Sequence, residues 1–264
     1  MKLFLALMFY LVAQDAPAVT AYQKAQTLFQ QQQLQPALAA VEEALKLQPD
    51  YAAALTLKAR LALAAERYDV ALACLTRAAA LAPDDAATQF LLGFTRYVEN
   101  DFKHALTALE RARQLRPGDA RTHFYLALTY EALAQTAEAR AAYEQALKLE
   151  APTSAAFADT AVAYARWLFT LGQLTESEKL IDRALRAESD SRDAHYEKGR
   201  LLFERHDYAA AAQHGERALT LSSVGTTDRQ IHFLLAKAYA KTGQNELAAA
   251  HLAKFRALPA PLRR

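Results

Sequence analysis

Small and apolar residues recur along this chain with a step of 34. Pro49, Pro83 and Pro117 keep that step, as do Ala37, Ala71, Ala105 and Ala139, and again Ala44, Ala78, Ala112 and Ala146. A period of this length marks a stack of identical supersecondary units, none of which can bury its apolar face without a neighbour. Such a chain offers a long surface rather than an enclosed pocket, which points to binding rather than to catalysis.

Following the register to the end gives seven units. The small residues that open the first half of each fall at Ala25, Ala59, Gly93, Ala127, Ala165, Gly199 and Ala236, with steps of 34, 34, 34, 38, 34 and 37. The two longer steps are insertions around 151–154 and 222–227. Apolar or small residues at i, i+3, i+4 and i+7 predict two amphipathic helices per unit. In the fourth unit Leu126, Ala127 and Tyr130 serve the first helix, and Ala139, Tyr143 and Ala146 the second. The turn between the helices carries Asn100, Gly172, His206 and Gly243, residues suited to a left-handed helix ending. Thr175 with Glu178 and Thr227 with Gln230 read as capping boxes, and Asp50, Asp85 and Asp119 precede first helices.

The Leu92-Gly93 and Leu126-Ala127 pairs, Tyr130, the Ala105 and Ala139 class and the closing Pro117 make the chain resemble the tetratricopeptide repeat family, over roughly residues 18–258. The resemblance implies an all-α fold, a right-handed superhelical solenoid of about seven helix-turn-helix units. The chain departs from the pattern at Ala151, Ser189 and Ser223, where the closing proline is missing. It departs again early in the first helices, where Leu55, Gln89, His123, His195 and His232 replace the usual aromatic.

With 53% hydrophobic residues the chain has a core to bury, as a thin seam along the stack. Its net charge of +2 is too balanced for a general attraction to nucleic acid, and Arg263-Arg264 is its only basic run. No nucleic-acid partner is expected. Lys2 is followed by a ten-residue apolar run, 3–12, and then by Ala13, Ala16 and Ala18. That is the layout of a secretory signal peptide, too short for the roughly 20 residues that cross a bilayer. The expectation is a signal peptide over 1–18, cleaved after Ala13 or within Ala16-Pro17-Ala18. A single repeat domain over 18–258 and a short basic tail over 259–264 follow, with no transmembrane segment in the mature chain. An apolar capping helix on the first repeat is the alternative. The compartment so implied is the periplasm or the exterior of a bacterium.

Residues with chemistry to offer find structural explanations. Cys74, the only cysteine, falls on the inward face of a second helix, so a buried thiol is expected and an intermolecular bridge is the alternative. Gly93 and Gly199 allow close helix packing, while Gly172 and Gly243 lie in turns. His123, His195 and His232 share one register but lie in the fourth, sixth and seventh units. Units about 10 Å apart cannot bring three ligands within about 2 Å of one metal. No nucleophile has a base and an orienting group beside it. No catalytic, metal or cofactor site is expected. An enzymatic alternative would have to draw on His195, Glu197 and Glu204.

The resemblance implies that the first helices line a concave wall that contacts peptides. Mapped here, the stripe passes through Arg60, then Phe90, Phe94 and Tyr97, then Phe124 and Leu128. It continues through Arg166 and Phe169, Tyr196, Arg200 and Phe203, and ends at Phe233 and Lys237. Offsets of three and four put each set on one helical face. Phe94 stands out, in a register held elsewhere by Gln26, Arg60, Arg166, Arg200 and Lys237; a large apolar residue there suggests an interaction surface. The alternative is that about half the stripe is packing, since apolar residues at helical spacing are more often core. The asparagines of the family's carboxylate clamp are absent. The expected function is a non-enzymatic interaction scaffold, working in cell-envelope assembly. Its partner would be a protein or peptide with an apolar anchor near Phe90, Phe94 and Phe124 and acidic groups facing Arg166, Arg200 and Lys237. The alternatives are a self-associating structural component, with the last helix read as a short 251–258, and an accessory subunit of an envelope enzyme.

Overall fold

The structure, a computed structural model, describes residues 17–222 and 225–259. Of the expected leader and tail, only 17, 18 and 259 fall within these bounds. The described residues form fourteen helices and no strand. In hairpin order they are α1 (17–30) with α2 (Leu34–Leu47), α3 (Ala52–Ala64) with α4 (Tyr68–Leu81), and α5 (Ala86–Val98) with α6 (Phe102–Leu115). The series continues with α7 (Ala120–Ala132) and α8 (Thr136–Leu149), α9 (Ala155–Thr170) and α10 (Leu174–Ala187), α11 (Arg192–Glu204) and α12 (Tyr208–Leu219), and α13 (Asp228–Lys241) and α14 (Asn245–Ala257). The fold class is therefore all-α, with seven helical hairpins. The chain divides into two compact units between Ala139 and Arg140, within α8. No described helix is long and apolar enough to cross a membrane.

In the first unit the 34-residue step is the step of closest approach. Ala37, Ala71, Ala105 and Ala139 have no exposed surface, and Ala44, Ala78 and Ala112 almost none. Gly93 shows why the opening residue must be small: a Cβ there would lie 2.6 Å from Leu109 Cγ and 3.0 Å from Leu109 N. The α5 backbone thus rests on α6, a spacing that a methyl group would force apart. Cys74 is half-buried against the cluster of Ala59, Ala62, Ala71 and Leu75, and burial pushes its thiol pKa up, which keeps it an unreactive thiol.

The turn inside each hairpin is left-handed at one equivalent residue: Gln32, Glu66, Asn100 and Ala134 in the first unit, Gly172, His206 and Gly243 in the second. The steps between the first four are again 34. The chain reverses there because the next N–H reaches back to a carbonyl of the preceding turn, as Asp101 N does to Arg96 O at 2.9 Å. At the starts, Asp85 accepts from Ala87 N and Thr88 N, and Thr227 with Gln230 forms the expected capping box. The Thr175–Glu178 box does not form. Helix α10 begins two residues earlier, after Gln173, and Glu178 is taken by Lys198 Nζ at 3.1 Å and by Arg205. The last helix is also longer than read, thirteen residues from Asn245, because Gly243 and Gln244 turn the chain well before 251.

Three of the polar residues that replace the early aromatic, Gln89, His123 and His195, bind the carbonyl six residues upstream. Gln89 Nε2 donates to Pro83 O at 3.1 Å, and the Nε2 atoms of His123 and His195 lie 2.8 and 3.0 Å from Pro117 O and Ser189 O. Each ties the start of a first helix to the loop that closes the preceding hairpin. In the second unit Gly199 approaches Ala211 O and the Leu234 side chain, and Gly215 lies against Leu235. The insertion after α12 is anchored by Asp193, whose Oδ1 accepts from Thr226 N at 2.6 Å and whose carboxylate would meet any Cβ on Gly225.

Candidate interaction site

In the first unit the expected stripe is an aromatic cluster organised by a residue outside it. Tyr125, on α7, packs its ring against Phe90 at 5.8 Å, Phe94 at 5.0 Å and Tyr97 at 5.8 Å on α5, and against Phe124 at 5.3 Å. Phe90 and Phe94 stack at 6.5 Å. Phe90, Phe94, Tyr97, Phe124 and Leu128 are all half-buried. Phe94 thus has an internal partner as well as an exposed side. Burial raises the pKa of the Tyr97 and Tyr125 hydroxyls, so both stay neutral. The Phe124-Tyr125 dipeptide was the available signal. One step along a helix turns the second ring toward the neighbouring α5.

The open part of the first unit lies nearer the start. A cleft of about 750 Å³ runs between α1 and α3, with Gln26, Gln30, Thr56 and Arg60 among its walls. A second, of about 270 Å³, continues past Arg60 to Phe90 and Arg121. The Arg60 guanidinium lies 4.5 Å over Phe29, and that of Arg121 lies 5.2 Å over Phe90. Both guanidinium heads lie over ring faces on side chains that stay exposed. Sequence reasoning put Arg60 and Phe90 on the stripe and Gln26 in its register, but passed over Gln30 and Thr56, because glutamine and threonine carry no periodic apolar signal.

In the second unit the stripe converges. Phe169 from α9, Tyr196, Arg200 and Phe203 from α11, and Phe233 and Lys237 from α13 line one cleft of about 210 Å³, together with Glu204 and Gln230. Arg200 lies 4.4 Å over Phe169, and Lys237 Nζ lies 4.4 Å over Phe203. Phe233 is 46% exposed and leans on Phe255 at 5.0 Å. Arg166 and Arg200 have an internal partner. Glu197, 2% exposed, accepts from Arg166 Nε at 2.9 Å and from an Arg200 terminal nitrogen at 2.6 Å. A buried carboxylate needs such partners, so one of the two arginine charges is spent holding Glu197. Lys237 has no carboxylate partner among the described residues.

The residues of the enzymatic alternative are not brought together. His195 binds Ser189 O and the ring of His214, whereas Glu197 binds the two arginines. Among the described residues no three His, Cys, Asp or Glu side chains are grouped to hold a metal.

Tetratricopeptide-repeat family models match residues 22–86, 56–120 and 163–225, and a further one matches 120–153. No curated protein matches the sequence significantly. Among solved structures, a tetratricopeptide repeat protein from Parabacteroides merdae superposes with a TM-score of 0.72 at 16% identity, covering 94% of this chain and 95% of that one. A structure of MamA gives 0.58 at 19% identity, covering 66% and 93%. The APC/C Cut9–Hcn1 hetero-tetramer gives 0.64 at 17% identity, covering 88% of this chain but 45% of that one. Likeness at these identities shows the fold alone, but the family models span most of the sequence in the register that the structure displays as hairpins. The chain belongs to the tetratricopeptide repeat family, whose fold is a scaffold for protein–protein interaction.

Proposed function

We propose that this chain is a non-enzymatic scaffold whose first-helix faces take protein segments that pair an apolar side chain with an acidic one. The cleft of the second unit carries the reading. Three successive first helices contribute rings and cations to one concavity there, and Lys237 stands over Phe203 with no carboxylate of its own. The charges around it are Arg166, Arg200 and Lys237 against Glu197 and Glu204, an excess of one positive charge. An acidic group arriving with an apolar neighbour would satisfy Lys237 and cover Phe233 at the same time. In the first unit Arg60 and Phe90 offer the same pairing of a cation with a ring, beside the cluster held by Tyr125. The Cut9–Hcn1 hetero-tetramer is an assembly of proteins, and a protein partner is the class proposed here.

A displayed random-peptide library panned on the full chain tests this. The expected enrichment is of sequences with Asp or Glu close to Phe, Leu or Trp, binding a Phe233→Ala, Lys237→Glu variant at least about tenfold more weakly. Peptides that bind both proteins equally would overturn it.

We further propose that the protein works in the envelope of a bacterium. The support is the sequence 3–12, an apolar run behind Lys2. Expression of the full chain followed by fractionation should place it outside the cytosol, shortened at its N-terminus by mass spectrometry. Full-length protein in the cytosol would refute the assignment.

A further inference from the structure

The last two hairpins each hold a pair of histidines facing one another across the hairpin. His195 on α11 and His214 on α12 have their Nδ1 atoms 2.9 Å apart, and so do His232 on α13 and His251 on α14. Ring centroids are 5.1 Å apart in both. Each pair is separated by 19 residues, and 37 residues carry one pair onto the other, so the same site is built twice in consecutive repeats. His232 and His251 are buried, and His195 and His214 are half-buried.

The outer contacts fix which nitrogen carries the hydrogen. His195 Nε2 lies 3.0 Å from Ser189 O, an acceptor, so Nε2 is protonated and Nδ1 offers its lone pair to the Nδ1–H of His214. His251 Nε2 lies 3.3 Å from Glu216 Oε1, so its Nδ1 in turn accepts from the Nδ1–H of His232. Two nitrogens 2.9 Å apart have room for one hydrogen. A first proton can settle on the remaining Nε2, of His214 or His232, and leave that bond intact. A second must go to the accepting Nδ1. It then sets two N–H groups and two cations against each other in a site removed from water.

We propose that the two histidine pairs form a proton-operated latch on the hairpins α11/α12 and α13/α14, closed while each pair shares one hydrogen and released when both rings of a pair are protonated. The charged groups around the first pair are Asp182 on α10, Asp190 before α11, Lys198 on α11 and Arg217 on α12. Those around the second are Glu216 on α12, Asp228 on α13 and Lys254 on α14, with the Tyr239 ring 5.6 Å from His251. Acids and bases are mixed in both sets, so burial dominates. It holds all four histidines below the ordinary value of 6.5, helped at His214 and His232 by the facing ring. The depressed values fix the sign. The folded form binds fewer protons than the unfolded one, so this stabilisation is complete above 6.5 and is lost as pH falls through the depressed values. The latch stands whatever the neighbouring cleft binds.

Amide hydrogen exchange on the full chain at about pH 8 and about pH 5, corrected for intrinsic rates, tests it. Relative to α9 and α10, which lie in the same unit without such a pair, α11–α14 should lose protection at least about tenfold at the lower pH. A His214→Gln, His251→Gln variant keeps one hydrogen bond per pair but cannot take up the second proton, so only the burial of His195 and His232 is left to titrate and its protection should fall much less than that of the parent chain. Unchanged protection of α11–α14 in the parent chain, or an equal loss in the variant, would overturn the proposal. Should the variant not fold, imidazole nitrogen shifts of the parent chain decide. Two-step proton uptake coinciding with the loss of protection supports the latch, and four independent titrations near 6.5 remove it.

Discussion

Ala134 holds a backbone conformation that residues with a side chain seldom adopt, at φ +57°. Its side chain is exposed and contributes no packing, so the left-handed turn there carries only a cost. The equivalent turn at Gly172, φ +74°, has open space where a Cβ would be, so backbone conformation alone separates the two residues. Ala134→Gly should therefore raise stability by about 0.5–1 kcal/mol, and Gly172→Ala should lower it by a similar amount. Urea denaturation followed by circular dichroism reads both. A loss in the first variant would show that Ala134 is held by something other than the geometry of the turn. The same position illustrates what residue-level reading reaches. Asn100, Gly172, His206 and Gly243 announce a left-handed residue by their chemistry, whereas Gln32, Glu66 and Ala134 do so only by their place in the register.

At the scale of the helix, what is legible follows from periodicity. The seven hairpins, their order and the buried alanines were readable because each recurs at a fixed step, and because a residue without bulk is required wherever two backbones meet, as Gly93 meets Leu109. Helix starts were less legible. Thr175 and Glu178 have the spacing of a capping box, but the cations Lys198 and Arg205, twenty and more residues away in sequence, take the glutamate instead. Interactions between neighbouring first helices were least legible of all. Glu197 captures Arg166 from 31 residues away, and Tyr125 organises rings on another helix. Neither leaves a signal in a single helix's pattern. The histidine pairs did leave one, a 19-residue spacing that occurs twice, but it lies between a first and a second helix. A search for metal ligands along first helices alone passes over it.

For the molecule as a whole, the consequence of the repeat is that stability is assembled locally. Within each unit the helices pack on a neighbour in the chain, as α5 does on α6 and α9 on α10, or on the next but one, as α5 does on α7 and α11 on α13. The described core residues fall in separate clusters along the repeats, so stability is expected to be close to a sum of hairpin terms and nearest-neighbour contacts. Hairpins of different composition then need not melt together. Calorimetry of the full chain should give an unfolding enthalpy larger than the van't Hoff value from the width of the transition. The single tryptophan offers a second reading. Trp167 is buried in α9 with Tyr143 at 5.9 Å and Tyr164 at 6.1 Å, so its fluorescence reports the middle of the array, while far-ultraviolet circular dichroism reports all the helices. Under urea the two curves should have different midpoints. They should differ because Trp167 reports α9 with the α10 and α11 helices packed on it, whereas circular dichroism averages over all the helices. Coincident curves and equal enthalpies would mean that the hairpins are coupled strongly enough to unfold as one body, and the local account of their stability would then be wrong.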